Sequence, residues 1–307
     1  MIFLLGWLAI VPTYTTPLLL ASIGLILCER AGVLNLGAEG LMALGAMTAA
    51  ITILAGYSPI VGFLAGGLAA MALSLVFGLA VVVFRAEQTL AGLATVAIGL
   101  GLTGTIGRPF VQKTFSGLPD FYALFGLRGA EAWVRLVGHQ DAITLLAPVA
   151  ALAAWWWLYR TRPGLKLRAV GENPAAADIA GTDVQKTQLG AVLFSGLLCG
   201  LGGAYLTVAV SHVWVENMIA ARGWIAIALV IFARWSPARA ILGAVVFGSA
   251  DALVPRLQAI GADVPVYLMM MLPYALTLLV LFLTALRGRG SGEPQALGAT
   301  YLRQDKQ

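Results

Sequence analysis

Residues 161–186 read TRPGLKLRAVGENPAAADIAGTDVQK, the longest polar and basic-ended interruption in an otherwise apolar chain. The contrast with its surroundings decides the fold class. On either side, apolar segments of roughly 17 to 25 residues recur, each long enough to cross about 30 Å of hydrocarbon as a helix. Strands of an outer-membrane barrel would alternate in polarity, and these do not. Hydrophobic residues make up 60% of the 307 and charged residues 11%, with a mean hydropathy of +0.90, well outside the range of a soluble domain. The expectation is an all-α, polytopic membrane helix bundle.

Within the opening stretch, Asn173 and Pro174 read as an N-cap and first helical residue, Ala175 to Ala180 as helix, and Gly181 as its stop. A helix of about seven residues falls short of the ~12 to 15 that are marginal alone in water, so something must hold it. Ala175, Ala176, Ile179 and Ala180 form a small, smooth face with Asp178 at its side. Two readings stay open: insertion into a groove on a partner, or packing on its own bundle.

Working outward, nine spans are expected, at about 4–27, 36–55, 59–84, 90–107, 142–159, 188–210, 222–234, 238–255 and 266–286. The seventh is too short to cross alone. It is tilted, extended by the residues before it, or half of a re-entrant pair with the eighth. Placing the loops near 30, 85, 160–186 and 234–239 and the C-terminal tail inside collects 13 Lys and Arg against 6 outside. The positive-inside rule then puts the N-terminus out and the C-terminus in the cytosol. Trp155, Trp156, Trp157 and Tyr159, just before Arg160, fit an aromatic belt at the headgroup layer. Two parts are expected: a membrane domain, 1–287, with the cytosolic loop 160–187 inside it, and a loose polar tail, 288–307.

The outer segment 108–141 carries Ala130, Trp133, Val134 and Val137 on one helical face, as in a short interfacial helix; docking of an external binding protein is the alternative. Glycines inside spans, among them Gly62, Gly66, Gly99, Gly101, Gly104, Gly196, Gly200, Gly202 and Gly203, imply tight packing at small residues.

Motifs for catalysis are missing. The chain has no GxxxxGK[ST], no HExxH and no GxSxG, and its two histidines, His139 and His212, are both assigned outside. Cys28 and Cys199 lie in apolar segments, so neither a disulfide framework nor a metal cluster is expected. The basic residues flank membrane spans, which gives no ground for a nucleic-acid partner. No cofactor is expected, and no enzymatic activity. Ionisable groups within spans are costly and therefore candidates for function. Asn35 and Glu39, at i and i+4 in a glycine-rich run, suit a broken helix start; they line a pathway or gate, or tie the cytosolic end of the bundle. Asp251, five residues before Arg256, is a locally paired carboxylate or a substrate contact.

Three stretches then share a resemblance: ERAGVLNLGAEGLMALGAM at 29–47, RPGLKLRAVGENPAAADIAGTDV at 162–184 and FSGLLCGLGGAYL at 194–206. GWIAIALVIFARWSPARAILGAVVFG at 223–248 is a weaker fourth. Together they resemble the permease subunits of bacterial ABC importers of the ribose, nucleoside and branched-chain amino acid type. The resemblance implies a multi-pass inner-membrane subunit without catalysis of its own. It also implies a separate pair of ABC ATP-binding subunits, a second permease in a heterodimer, and an extracellular or periplasmic solute-binding protein, with lipid as the remaining neighbour. The short helix then becomes a coupling helix, carried over to Gly171, Glu172, Asn173, Pro174, Ala176, Ala177 and Gly181. The run from Glu29 to Gly40 is most similar to the nucleoside and simple-sugar branch, with branched-chain amino acids left open. Polarity inside spans nominates Asn35, Thr95, Thr103 and Ser195 as pathway residues, with Glu39 near the inner gate. Outside the family, an ion-gradient carrier or a scaffold without transport remains the alternative.

Overall fold

The computed structural model describes residues 2–120, 140–259 and 292–301, with single helical positions at 271, 275, 278, 279 and 282. Helices account for its regular structure: α1 (Ile2–Arg30), α2 (Ala38–Leu54), α3 (Pro59–Gly78), α4 (Gln88–Ile106), α5 (Ala142–Arg160), α6 (Arg162–Glu172), α7 (Pro174–Ile179), α8 (Val184–Tyr205), α9 (Arg222–Phe232) and α10 (Pro237–Ala259). π turns prolong α3 over Leu79–Val83 and α8 over Leu206–Ser211. Among the described residues, β pairing is confined to a bridge between Thr114 and Val213.

Among the described residues, six helices are long and apolar enough to cross a membrane: α1, α3, α4, α5, α8 and α10. The molecule is therefore a multi-pass membrane protein. The second and seventh expected spans appear as α2 and α9, of 17 and 11 residues. The ninth, at 266–286, lies outside the described residues apart from five single positions, and the interfacial helix around Trp133 lies outside them altogether.

The loops assigned to the inner side do meet at one end of the bundle. Arg30 donates to the carbonyl of Trp235 at 3.0 Å and to the Tyr159 hydroxyl at 3.3 Å, and it stands 3.8 Å from the Glu172 carboxylate. Arg168 lies over the Tyr159 ring, 5.0 Å from its centroid. At the opposite end, Gln140 donates to the Ala9 carbonyl, Gln112 N–H to the Trp214 carbonyl, and Arg256 to the Gly6 carbonyl.

α3, α4 and α8 enclose α2, most of whose residues are buried. A methyl group at Gly203 of α8 would collide with the carbonyl oxygen of Met42 on α2, and one at Gly45 with that of Gly200. On α4, a methyl at Gly99 would meet the Gly40 backbone. Lipid tails are as apolar as leucine, so helices associate through close backbone approach at small residues. Gly101 and Gly104, by contrast, face open space. In the isolated subunit, Gly203→Ala is expected to cost about 1–3 kcal/mol through overpacking. Gly101→Ala should leave the unfolding midpoint in detergent unchanged or raised. Equal midpoints for the two variants would show that this contact does not limit stability.

Candidate functional site

Six helices start on a side chain that accepts their first free N–H groups: Ser58, Glu87, Asp141, Thr161, Asn173 and Asp183. Glu87 accepts from Thr89 and Leu90 N–H, which holds its exposed carboxyl below the usual carboxylate range. The two short helices differ. α2 and α9 begin at Gly37 and Ala221 without a side-chain cap from those residues. Both starts lie inside the bundle, where free N–H groups find no water.

Depth follows from the partners. Gln188 Nε2 donates to the Ala31 carbonyl at 3.2 Å, and Leu34 N–H donates to Gln88 Oε1 at 2.6 Å. The chain then runs inward between α4 and α8, so that Asn35 Nδ2 reaches Ser195 Oγ at 3.3 Å. Ser195 is seven residues beyond Gln188 on the same helix, which is about 10 Å of rise. Asn35 Oδ1 accepts from Gly37 N–H at 2.9 Å, which satisfies one free donor at the head of α2.

One turn further on, Glu39 supplies the missing cap for α9. Its two carboxylate oxygens accept from Ala221 N–H at 2.9 Å and Gly223 N–H at 2.8 Å. Negative charge at a helix N-terminus also complements the macrodipole. Glu39 is thus within the bundle, where a methyl on neighbouring Gly40 would meet the Thr95 carbonyl, away from the end at which Arg30 sits. α9 follows the irregular stretch 212–221, in which Trp214 and Ile219 are buried.

Of the five expected pathway residues, Asn35, Ser195, Glu39 and Thr95 come together, and all five are buried. Thr95 turns its hydroxyl back to the Ala91 carbonyl, with its methyl against Gly37. Thr103, two turns beyond Thr95 on α4, donates to the Leu100 carbonyl and stands apart from the cluster. Asp251 pairs with Arg222 at 2.9 Å and not with Arg256. Nothing in the sequence links those partners, which are 29 positions apart. Sequence reading also passed over Asp141, which caps α5 and accepts from the hydroxyls of Thr144 and Tyr205. An Asp directly before an apolar run was the available signal.

The second centre is the exposed helix α7. Asn173 Oδ1 accepts from Ala176 N–H at 3.0 Å. At the other end, Gly181 N–H donates to Asp178 and Thr182 N–H to Ala177, with φ +81° at Gly181, the Schellman pattern that glycine permits. Ala177 is buried against Val170 and Val184, so it fastens the helix to α6 and α8. Ala175, Ala176, Ile179 and Ala180 point outward, and Ile179 is 89% exposed. Gly171 and Glu172 face their own chain: a side chain at Gly171 would strike the Arg30 carbonyl.

The tail, expected to be loose, is packed over 292–301. Ala296 N–H donates to the Gly171 carbonyl at 2.9 Å, Gly298 N–H to that of Gly32 at 3.3 Å, and Tyr301 to Asp178 at 3.1 Å. It straps α7 and the end of α6 to the start of the segment that leads to Glu39.

Three relatives and one family model bear on this geometry. The model, described as branched-chain amino acid transport system / permease component, matches residues 8–281. A protein of Haloferax volcanii, named as a candidate glucose ABC transporter permease, is 38% identical over 85% of this chain and 80% of its own. The guanosine ABC transporter permease NupQ of Bacillus subtilis is 33% identical over 94% of both chains. The nucleoside ABC transporter permease NupC of Lactococcus lactis is 31% identical, also over 94% of both.

Replacing Glu39 with Ala orphans the buried Gly223 N–H and the partly buried Ala221 N–H, the buried one costing about 1–3 kcal/mol. Thermal unfolding in detergent should show a large drop for Glu39→Ala and a smaller one for Glu39→Gln, whose amide oxygen still accepts one bond. Indistinguishable midpoints for wild type and Glu39→Ala would remove the cap from this account.

Proposed function

Because this chain belongs to the permease-component family of branched-chain amino acid transport systems, and so is the membrane subunit of an ABC importer, we propose that it passes a nucleoside or simple sugar. The similarity to glucose, guanosine and nucleoside permeases along nearly the whole chain carries this choice over branched-chain amino acids. It is a transport component and not an enzyme. Family membership implies an ATP-binding subunit and a solute-binding protein as partners.

The rest of the reading is ours. The subunit spans the cytoplasmic membrane nine times with its N-terminus outside, as one membrane unit over 1–287 and a cytosolic tail over 288–307, and it pairs with a second, different permease. ATP binding in the partner closes the ATPase dimer, and α7 delivers that motion, through alternation between outward-open and inward-open packings. Asn173, Pro174 and Gly181 shape α7, while Ala176 meets the ATPase. Gly171, Glu172 and Ala177 secure the helix to its own subunit. Asn35, Glu39, Thr95 and Ser195 hold the discontinuous helices at mid-depth, beside the pathway, with Thr103 further along α4.

The exposure of the Ala176 face, together with the fastening of Ala177, supports docking over simple packing on the bundle. Ala176→Trp leaves the buried contacts of α7 untouched, so insertion and folding should match wild type while co-purification of the ATP-binding subunit falls at least tenfold. Retained association would count against docking. In vesicles carrying the full complex, uptake of labelled guanosine or glucose should require internal ATP; uptake driven by an ion gradient alone would sink the importer reading.

A further inference from the structure

α5 and α8 meet at one end through Asp141, Thr144 and Tyr205. Towards α6 they stand apart, leaving a cleft of about 740 Å³ whose floor includes Leu27 of α1. The facing walls carry small residues, Ala150 and Ala153 on α5 and Gly190 and Ala191 on α8, beside the larger Trp157 and Phe194. A methyl group at Gly190 would meet nothing within 4 Å. Small residues elsewhere in this bundle bring backbones into contact, as at Gly45 and Gly200. Here the same composition leaves a gap, and an apolar gap neither holds water nor gains by staying empty.

The mouth of the cleft differs in character. α6 closes it at the end where Trp157, Tyr159 and Arg160 finish α5, and Lys166 of α6 and Lys186 of α8 stand on its rim. α6 is amphipathic, with Leu167 and Val170 buried and Lys166 exposed. Lys186 also lies 3.0 Å from Asp183, but both side chains are largely exposed, and such a pair contributes little. Two ammonium groups at the end of an apolar slot match a phosphate joined to an acyl chain.

We propose that this cleft binds one anionic phospholipid, its acyl chain lying between α5 and α8 and its phosphate between Lys166 and Lys186. The lipid completes the packing that the small residues leave open. It also ties α6 to the start of α8, the two elements that hold α7, so its occupancy sets how firmly the coupling helix is mounted. The site is independent of which solute the complex carries.

Trp157 lines the cleft and serves as its reporter. The intact chain is placed in phosphatidylcholine vesicles containing increasing fractions of phosphatidylglycerol brominated on its acyl chains, or of equally brominated phosphatidylcholine. The Trp157 signal is the difference between wild type and Trp157→Phe. Brominated phosphatidylglycerol should quench it to saturation at a low mole fraction, and brominated phosphatidylcholine only in proportion to its abundance. The double variant Lys166→Ala, Lys186→Ala should need at least tenfold more phosphatidylglycerol, at about 1 kcal/mol per lysine, whereas Lys166→Arg, Lys186→Arg should behave as wild type. Equal quenching by the two lipids would reduce the cleft to ordinary lipid contact and overturn the proposal. Absence of quenching by either would mean that protein covers it, and would overturn it as well. An unchanged curve for the double alanine variant would remove the phosphate from the site.

Discussion

Backbone packed directly on backbone around α2 is the contact on which the rest of this bundle depends. Within lipid there is no solvent to drive apolar faces together, so the gain comes from dispersion and from how near the helix axes can approach. Glycines at 40, 45, 99 and 203 bring α4 and α8 against α2 until a single methyl would strike a carbonyl. A helix so enclosed no longer needs to span the membrane. α2 can begin at mid-depth because α4 and α8, on either side of it, supply the polar partners that its missing turns would have supplied.

That freedom has a cost in unsatisfied donors, and the polar cluster is its settlement. Asn35 turns back on Gly37, Ser195 receives the Asn35 amide, Gln88 and Gln188 hold the backbone on the way in, and Glu39 caps α9 across the helix boundary. Residues that look from sequence like a lining for polar cargo have a structural task in this packing. The two roles are compatible: a group that secures a half-helix is also a group that any movement of that half-helix must disturb. Polar residues inside a membrane bundle therefore mark where the chain is discontinuous before they mark what passes through it.

Much of this was legible in the sequence, and the limits have physical causes. The capping signals around α7 fall within a few residues of one another, so Asn173, Pro174 and Gly181 could be read without tertiary information. Hydropathy located the long helices for the same local reason. It was silent on depth: Glu39, four residues after Asn35, reads as near the end of the bundle unless one knows that the irregular segment 31–37 runs along α8 from Gln188 to Ser195, about 10 Å, before the helix starts. The Arg222–Asp251 pair and the cap from Glu39 to Ala221 depend on how segments distant in sequence cross, and composition carries no trace of that. The polar tail misled because polarity argues for solvation, whereas its backbone donors at Ala296 and Gly298 find carbonyls left free at Gly171 and Gly32.

A continuous mechanical route follows from these contacts. α7 is fastened through Ala177 to α6 and α8; α6 ends at Gly171, whose backbone lies against Arg30 and whose carbonyl is held by the tail. Arg30 and Gly32 open the irregular segment, and that segment delivers Asn35 to Ser195 and Glu39 to the head of α9. Along this route the elements that would have to change are not regular helix. The 31–37 segment and the 212–221 return carry the bends, with φ above +45° at Gly32, His212, Asn217, Ala220 and Ala221. Rotating a segment already outside the i to i−4 ladder breaks few hydrogen bonds, while bending α1 or α8 at mid-membrane would expose donors to hydrocarbon. In the coupling proposed above, a push on α7 would be resisted by the long helices and absorbed at the two breaks, which meet at Glu39. The same carboxylate that lets α9 begin inside the membrane is placed where a change in the tilt of α9 would first be felt.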